Sequence, residues 1–291
     1  MIKQTSLPPR EGMDCFRDDE PGPDMNISLK LARKVAVRLP IGFFPRNHVP
    51  KTPVRGRPKL LVVGIYMGLE PNHAAHIVEQ FGSAKAVEVD QRWICMLGQA
   101  PTQEVAAVTV RRLDNHVPKW QLINELINAE DLDRFDYFMI CDDDVLLVTH
   151  FVDNFIAEQQ SLGFALAQPA RTWRSITDHS IVRRRLFTRA RQTNFVEIGP
   201  VVSFRRDFLK AVYPFSLESP MGWGYDFTWP ITARELDVPI GIIDRVPVDH
   251  SLRPPGALYD IQQHLDLMKS YLASRAHVSW TEAARTIRTF R

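Results

Sequence analysis

Asp136-Tyr137-Phe138-Met139-Ile140-Cys141-Asp142-Asp143-Asp144-Val145-Leu146-Leu147 is an apolar run that stops at three consecutive carboxylates. Tyr137 to Cys141 are all apolar, which suits a strand covered on both faces; a half-exposed strand would alternate polar and apolar positions. The acids then stand at the carboxyl end of that strand, the edge at which open α/β sheets bind ligands. On an extended backbone Asp142 and Asp144 point to one side, roughly 6.6 Å apart at about 3.3 Å per residue. Two charges at that distance repel by about 2.5 kcal/mol at an effective dielectric near 20. A divalent cation turns that repulsion into attraction. Oxygen ligands of this kind suit Mg²⁺ or Mn²⁺, which fill their shells with water and substrate phosphates. The residues alone also permit a solvated acidic turn that merely ends the strand.

The segments around this stretch alternate between strand and helix patterns. Lys59 to Tyr66 reads as a buried strand, His73–Phe81 as a helix closed by Gly82, and Ala86 to Asp90 as a second strand. Residues 105–110 read as a third short strand, and Trp120 to Ile127 has helical spacing. Downstream, His150–Leu162 reads as a helix and Phe164 to Pro169 as a strand. Phe195 to Phe204 is read as a strand bent at Gly199-Pro200, followed by a short helix over Arg206–Val212 and a strand over Ile240 to Asp244. An amphipathic helix is expected from Ile261 to Ser274, and a second helix starting at Ser279 or Thr281 with Arg285, Arg288 and Arg291 in its last turn. The expected fold is α/β: a mostly parallel sheet flanked by helices, Rossmann-like, in a single domain. Residues 1–56 carry eight prolines and read as an N-terminal arm, 57–260 as the main domain, and 261–291 as C-terminal helices packed on it.

Composition narrows the class. The 291 residues are 45% hydrophobic and 24% charged, ordinary for a globular protein able to bury a core. Net charge is +2, which gives no general nucleic-acid surface. Arginine is nevertheless concentrated at Arg183, Arg184, Arg185, Arg189 and Arg191, so the segment Arg171 to Arg191 reads as an irregular loop able to close over an anionic ligand. Cys15, Cys95 and Cys141 have no disulfide or zinc spacing, and a reducing cytoplasm is expected. No signal-peptide core or membrane-length apolar run is present in the sequence.

Three features, Asp142-Asp143-Asp144, Gly222-Trp223-Gly224-Tyr225-Asp226 and Asp249-His250, occur in an order that resembles the GT-A class of nucleotide-sugar glycosyltransferases. The Gly-Trp-Gly stretch is similar to that of inverting galactosyltransferases, in which the acids that follow hold the acceptor and act as base. Lys119-Trp120, Gln168-Pro169, Gly222 to Phe227 and Asp249-His250-Ser251 further resemble a largely uncharacterised family whose plant members carry a label mentioning lysine-ketoglutarate reductase trans-splicing. The resemblance covers roughly residues 58–260.

This resemblance implies a metal-dependent hexosyltransferase using Mn²⁺ (or Mg²⁺) and a nucleotide sugar, most often a UDP-sugar, with a glycan or glycolipid acceptor. It implies no nucleic-acid partner, and it is compatible with peripheral membrane contact. Asp144 is the first metal ligand by analogy with the last acid of the Asp-x-Asp motif, with Asp142 in support and His250 adding a nitrogen; the plain alternative for His250 is a histidine bonded to Asp249. Asp143, Asp90, Tyr66, Lys119 and Arg253 are the expected donor-binding residues. Asp226 is the expected base, its pKa raised by aromatic neighbours, although Asp226 also suits a helix cap. Trp223 is expected to stack on a sugar, with Gly222, Gly224 and Tyr225 lining the acceptor side. One departure stands out: Phe227 follows Asp226 where the galactosyltransferase motif has a second acid, so a single carboxylate must serve. Two rival readings are a metal-dependent nucleotidyltransferase or phosphohydrolase, and a non-catalytic carbohydrate-binding protein. No obvious phosphate-accepting nucleophile motif and no Walker pattern are found in the sequence.

Overall fold

The computed structural model describes residues 56–253 and 260–291, so the expected arm falls, apart from Gly56, outside the described residues. The first parallel unit consists of β1 (Lys59–Met67), α1 (Ala74–Gly82), β2 (Glu88–Met96), α2 (Gln103–Val108), β3 (Thr109–Leu113), α3 (Lys119–Asn128) and β4 (Tyr137–Asp142). Next come β5 (Leu146–Leu147), α4 (Phe151–Leu162), β6 (Leu166–Arg171), β7 (Ala190–Thr193), β8 (Val201–Arg205) and α5 (Arg206–Val212). The chain then forms α6 (Tyr225–Glu235), β9 (Ile240–Asp249), α7 (Ile261–Ala273), α8 (Trp280–Ala283) and β10 (Thr286–Phe290).

Nine strands lie in the order β10-β7-β9-β6-β8-β4-β1-β2-β3, and β5 pairs with β9 off that path. The pairs β1–β2, β1–β4, β2–β3 and β6–β9 are parallel, while β8 enters antiparallel between β4 and β6. Helices cover both faces, and the apolar runs follow from this. Leu60, Val62, Tyr66, Tyr137, Met139 and Cys141 pack on one side with residues of α1 and α4. Leu61, Val63, Met67, Phe138 and Ile140 pack on the other with residues of α3, α5, α6 and α7. Each large apolar side chain buried this way contributes roughly 1.5–3 kcal/mol relative to leaving it exposed.

Several expected elements differ; the strand expected over Phe195 to Phe204 is regular only from Val201, as β8, and residues 195–200 lie outside any strand. Residues 105–110 are mostly helix, because Thr102 caps α2 by accepting a hydrogen bond from Val105 N (3.3 Å). The second strand is β2, starting at Glu88 and running on to Met96. At the C-terminus a capping box between Ser279 and Glu282 starts α8, but only four residues are helical, and Thr286–Phe290 joins the sheet beside β7 instead of extending the helix. Thr286, Ile287, Thr289 and Phe290 are β-branched or aromatic, and their strand preference prevails.

Candidate active site

β4 ends at Asp142, and Asp143 and Asp144 form a turn. The extended backbone expected for the acid triplet therefore stops one residue in, and each carboxylate takes its own partners. Asp142 Oδ1 is 2.6 Å from Lys119 Nζ at the first residue of α3. Asp143 is 3% exposed; its Oδ2 accepts a hydrogen bond from Met67 N at the end of β1 (2.7 Å), and its Oδ1 is paired with Arg253. Burial raises Asp143 to about 7, with Arg253 opposing the shift.

Asp144 is carried on toward β9 because Leu146 of β5 pairs with Asp249. There its Oδ1 lies 3.1 Å from His250 Nε2, and its Oδ2 lies 3.4 Å from Arg253 Nε. Burial acts to raise Asp144, but His250 and Arg253 outweigh it and hold the carboxyl at about 2. His250 is not bonded to Asp249, whose oxygens accept from Thr172 Oγ1 (2.9 Å) and Ser251 Oγ (2.5 Å). The other ring nitrogen of His250, Nδ1, faces Arg171 Nη1 at 3.2 Å.

No sequence motif marks Glu197, and Arg171 is marked only as the first residue of the arginine-rich segment. Arg171, at the end of β6, also donates to Gly199 O (2.7 Å) and Ile176 O (2.9 Å) and pairs with Glu197 Oε2 at 2.5 Å. Glu197 is buried, and burial raises its pKa while Arg171 draws it back. A lone carboxylate inside the apolar stretch Phe195 to Phe204 was the available signal. Gly199 completes this wall: a Cβ there would lie 2.7 Å from Asp142 Oδ2 and 3.2 Å from Lys119 Nζ.

Asp226 sits in the first turn of α6, 7% exposed, and its Oδ1 has no hydrogen-bond partner among the described residues. Burial first, and then the charge of Glu197, push it up to about 8, against the helix-start amides. Its aromatic neighbours take structural positions. Gly222 (φ 82°) and Gly224 (φ 101°) are left-handed, where glycine carries no steric penalty. The space a Cβ would need at Gly222 is filled by the Trp120 indole, and at Gly224 Tyr271, Met268 and Leu272 lie at 3.0–3.4 Å. Tyr225 is in the core against Trp120 and Tyr271, so only Trp223 of the expected acceptor set is partly exposed.

Two expected donor residues lie elsewhere. Tyr66 is fully buried, with its hydroxyl 2.9 Å from Thr109 Oγ1. Asp90 pairs in register with Leu61, whereas Asp142 pairs with Ile65, so Asp90 stands about 13 Å back along the sheet at about 3.3 Å per residue. It faces Arg92 and Arg134 there; the true extent of β2 displaced it from the ligand edge. Within the arginine-rich segment, Arg171 is paired with Glu197 and Arg191 is fully buried on Asp244 at 2.8 Å, so these two are already engaged.

Among the described residues, no three His, Cys, Asp or Glu side chains converge as a complete metal cage. The donor set still fits a cation that takes most of its shell from elsewhere. Asp144 and His250 adjoin, Asp144 is held ionised, and the turn sets three carboxylates against two cations, Lys119 and Arg253. Ions of the Mg²⁺ type are commonly bound by one or two protein ligands plus substrate phosphates.

No family model and no curated relative matches the chain. The fold is similar to that of the Pyrobaculum calidifontis mannosyltransferase PcManGT in complex with GDP-Man and Mn²⁺, with TM-score 0.52, 12% identity, and coverage of 86% of this chain and 72% of that one. It is similar to GalNAc-T7 with UDP, GalNAc and Mn²⁺ (TM-score 0.50, 10% identity, 74% of this chain), of which it spans about half, 48%. It is also similar to S. aureus TarS 1-349 in complex with UDP-GlcNAc (TM-score 0.50, 11% identity, 73% of this chain and 65% of that one). These likenesses establish a GT-A-type fold. Among the described residues no helix is long and apolar enough to cross a membrane.

Proposed function

We propose that the chain is a glycosyltransferase that moves a hexosyl group from a nucleoside diphosphate sugar, UDP-linked or GDP-linked, to a hydroxyl acceptor, with inversion at the anomeric carbon. One observation carries the reading. At the carboxyl edge of the sheet, the turn after β4 gathers Lys119, Arg253 and His250 around its three aspartates. That solved structures of similar fold are bound to GDP-Man, UDP-GlcNAc, UDP and Mn²⁺ supports a nucleotide-sugar donor.

In such a transfer the departing diphosphate gains negative charge, and Lys119 and Arg253 are the groups to bind it. Arg253 uses Nε and Nη2 on Asp144 and Asp143, while its Nη1 has no partner among the described residues. A guanidinium can therefore stay fixed and still donate to a phosphate oxygen. Asp143, tied to the end of β1, holds Arg253 in place. A divalent ion, which Asp144 and His250 would hold, supplies further positive charge against the leaving group.

Asp226 is the proposed base. It accepts the acceptor hydroxyl's proton on Oδ1, and its raised pKa makes it a better acceptor than an ordinary carboxylate. Trp223 offers a sugar-stacking surface beside it.

The test is nucleotide release from UDP-glucose, UDP-galactose, UDP-GlcNAc and GDP-mannose, with and without Mn²⁺, measured together with release from nucleoside triphosphates and phosphate esters. Release from a nucleotide sugar supports the proposal. Turnover of triphosphates or phosphate esters alone would move the assignment to nucleotidyl transfer or phosphate hydrolysis.

A further inference from the structure

Between the short 3-10 turn Ser180–Val182 and β7, the chain makes a tip at which Leu186 is 45% and Phe187 85% exposed. Phe187 is also in the left-handed region, φ 58°. A bulky non-glycine residue there is a genuine outlier, and this one gains no burial in return.

The root of the tip is firmly held, so the exposure is not fraying. Arg185 N donates to Asp244 Oδ1 (2.7 Å), Arg189 N to Phe290 O (2.9 Å), and the amides of Asp244 and Arg245 both donate to Arg189 O (3.0 Å). Asp244 is itself fixed by both ends of the buried Arg191 guanidinium, at 2.8 and 3.0 Å.

The two acids that hold the root of the tip are buried, and exposed arginines flank it. Asp244 and Glu158 are buried and already paired, with Arg191 and with Arg189 and Arg245. Arg185 is exposed beside the tip, and Arg291 is exposed just past the end of β10, next to Phe290 and hence to Arg189. An apolar point flanked by exposed guanidinium groups is complementary to the boundary between anionic headgroups and acyl chains. A second copy of this chain fits poorly, because a two-fold contact through the tip sets Arg185 against Arg185.

We propose that the Leu186–Phe187 tip, with Arg185, docks the protein on an anionic phospholipid bilayer, with Phe187 entering the interface. This stands independently of the glycosyltransferase reading. Arg183, four residues before Phe187, bridges by backbone to Arg171, which touches His250. At about 3.5 Å per residue the docked tip lies within about 14 Å of that strand end.

Flotation of the full chain with phosphatidylcholine vesicles, with and without phosphatidylglycerol, tests this directly. Wild type is expected to float with the anionic vesicles only. Leu186→Ser combined with Phe187→Ser is expected to weaken that binding by about tenfold or more, and Arg185→Glu to weaken it too, with unchanged circular dichroism and melting temperature. Failure of wild type to bind anionic vesicles, or equal binding by the double variant, overturns the proposal. So does a wild-type dimer, formed without vesicles, that the double variant converts to monomer.

Discussion

His250 Nε2 stands 3.1 Å from Asp144 Oδ1 across 106 residues of sequence, because the two-residue strand β5 pairs with the end of β9. The contact is thus a product of topology and not of local spacing. Replacing His250 with Ala is expected to reduce Mn²⁺-dependent UDP affinity by about 10–100-fold while leaving the melting temperature within a few degrees. Titration calorimetry and thermal unfolding check the two parts.

Arg253 compensates two carboxylates at once. Arg253→Ala leaves Asp143 buried without its cation, and loss of one partner of a buried pair typically costs about 3–5 kcal/mol. At about 2–4 °C per kcal/mol for a chain of this size, the melting temperature should fall clearly. Arg253→Lys should recover little, since an ammonium lacks the fork that reaches both carboxylates. Adding Asp143→Asn to Arg253→Ala should restore part of the loss; no recovery would show that Asp143 is not the group Arg253 stabilises.

Gly199→Ala is expected to weaken the Lys119–Asp142 ion pair, because the new methyl group would lie 2.7 Å from Asp142 Oδ2 and 3.2 Å from Lys119 Nζ, so that both side chains must shift. Nucleotide affinity should drop by roughly the effect of Lys119→Ala, and combining the two should add little, as expected for neighbours sharing one interaction. Strictly additive losses would place Gly199 outside the Lys119–Asp142 unit.

The pH dependence follows from Asp226. Its folded-state value, about 8, lies above the ordinary 3.8. The folded chain therefore keeps a proton that the unfolded chain releases, so this group's contribution to stability is full below about pH 4 and is lost as pH rises through about 8. Activity should move the opposite way, since the base works deprotonated: turnover rises with pH toward a plateau above about 8. Asp226→Asn should flatten the stability slope, spare donor binding and lower transfer by about 10²–10⁴-fold. Wild-type turnover in Asp226→Asn would remove the base assignment.

Much of the fold was legible because its strands are covered on both faces, which writes β1 and β4 as unbroken apolar runs. The pairing of Lys119 with Asp142, of Arg253 with Asp143, and of His250 with Asp144 was less so, since each depends on which strand ends meet. Glu197 and Arg171 could be suspected only as charged residues in apolar surroundings; their pairing is set by the order β9-β6-β8. The Gly-Trp-Gly stretch misled in detail. Its glycines accommodate left-handed backbone and the Trp120 edge, and Tyr225 belongs to the core. Asp90 was misplaced because Ala86 to Asp90 ended the expected strand, whereas the real one continues to Met96.

The most direct test is titration calorimetry of UDP and GDP against the wild-type chain and Asp144→Asn, each with and without Mn²⁺. Wild type is expected to bind nucleotide more tightly by a marked factor with Mn²⁺, and Asp144→Asn to lose that enhancement. Nucleotide binding that ignores Mn²⁺, or no binding at all, would contradict this expectation.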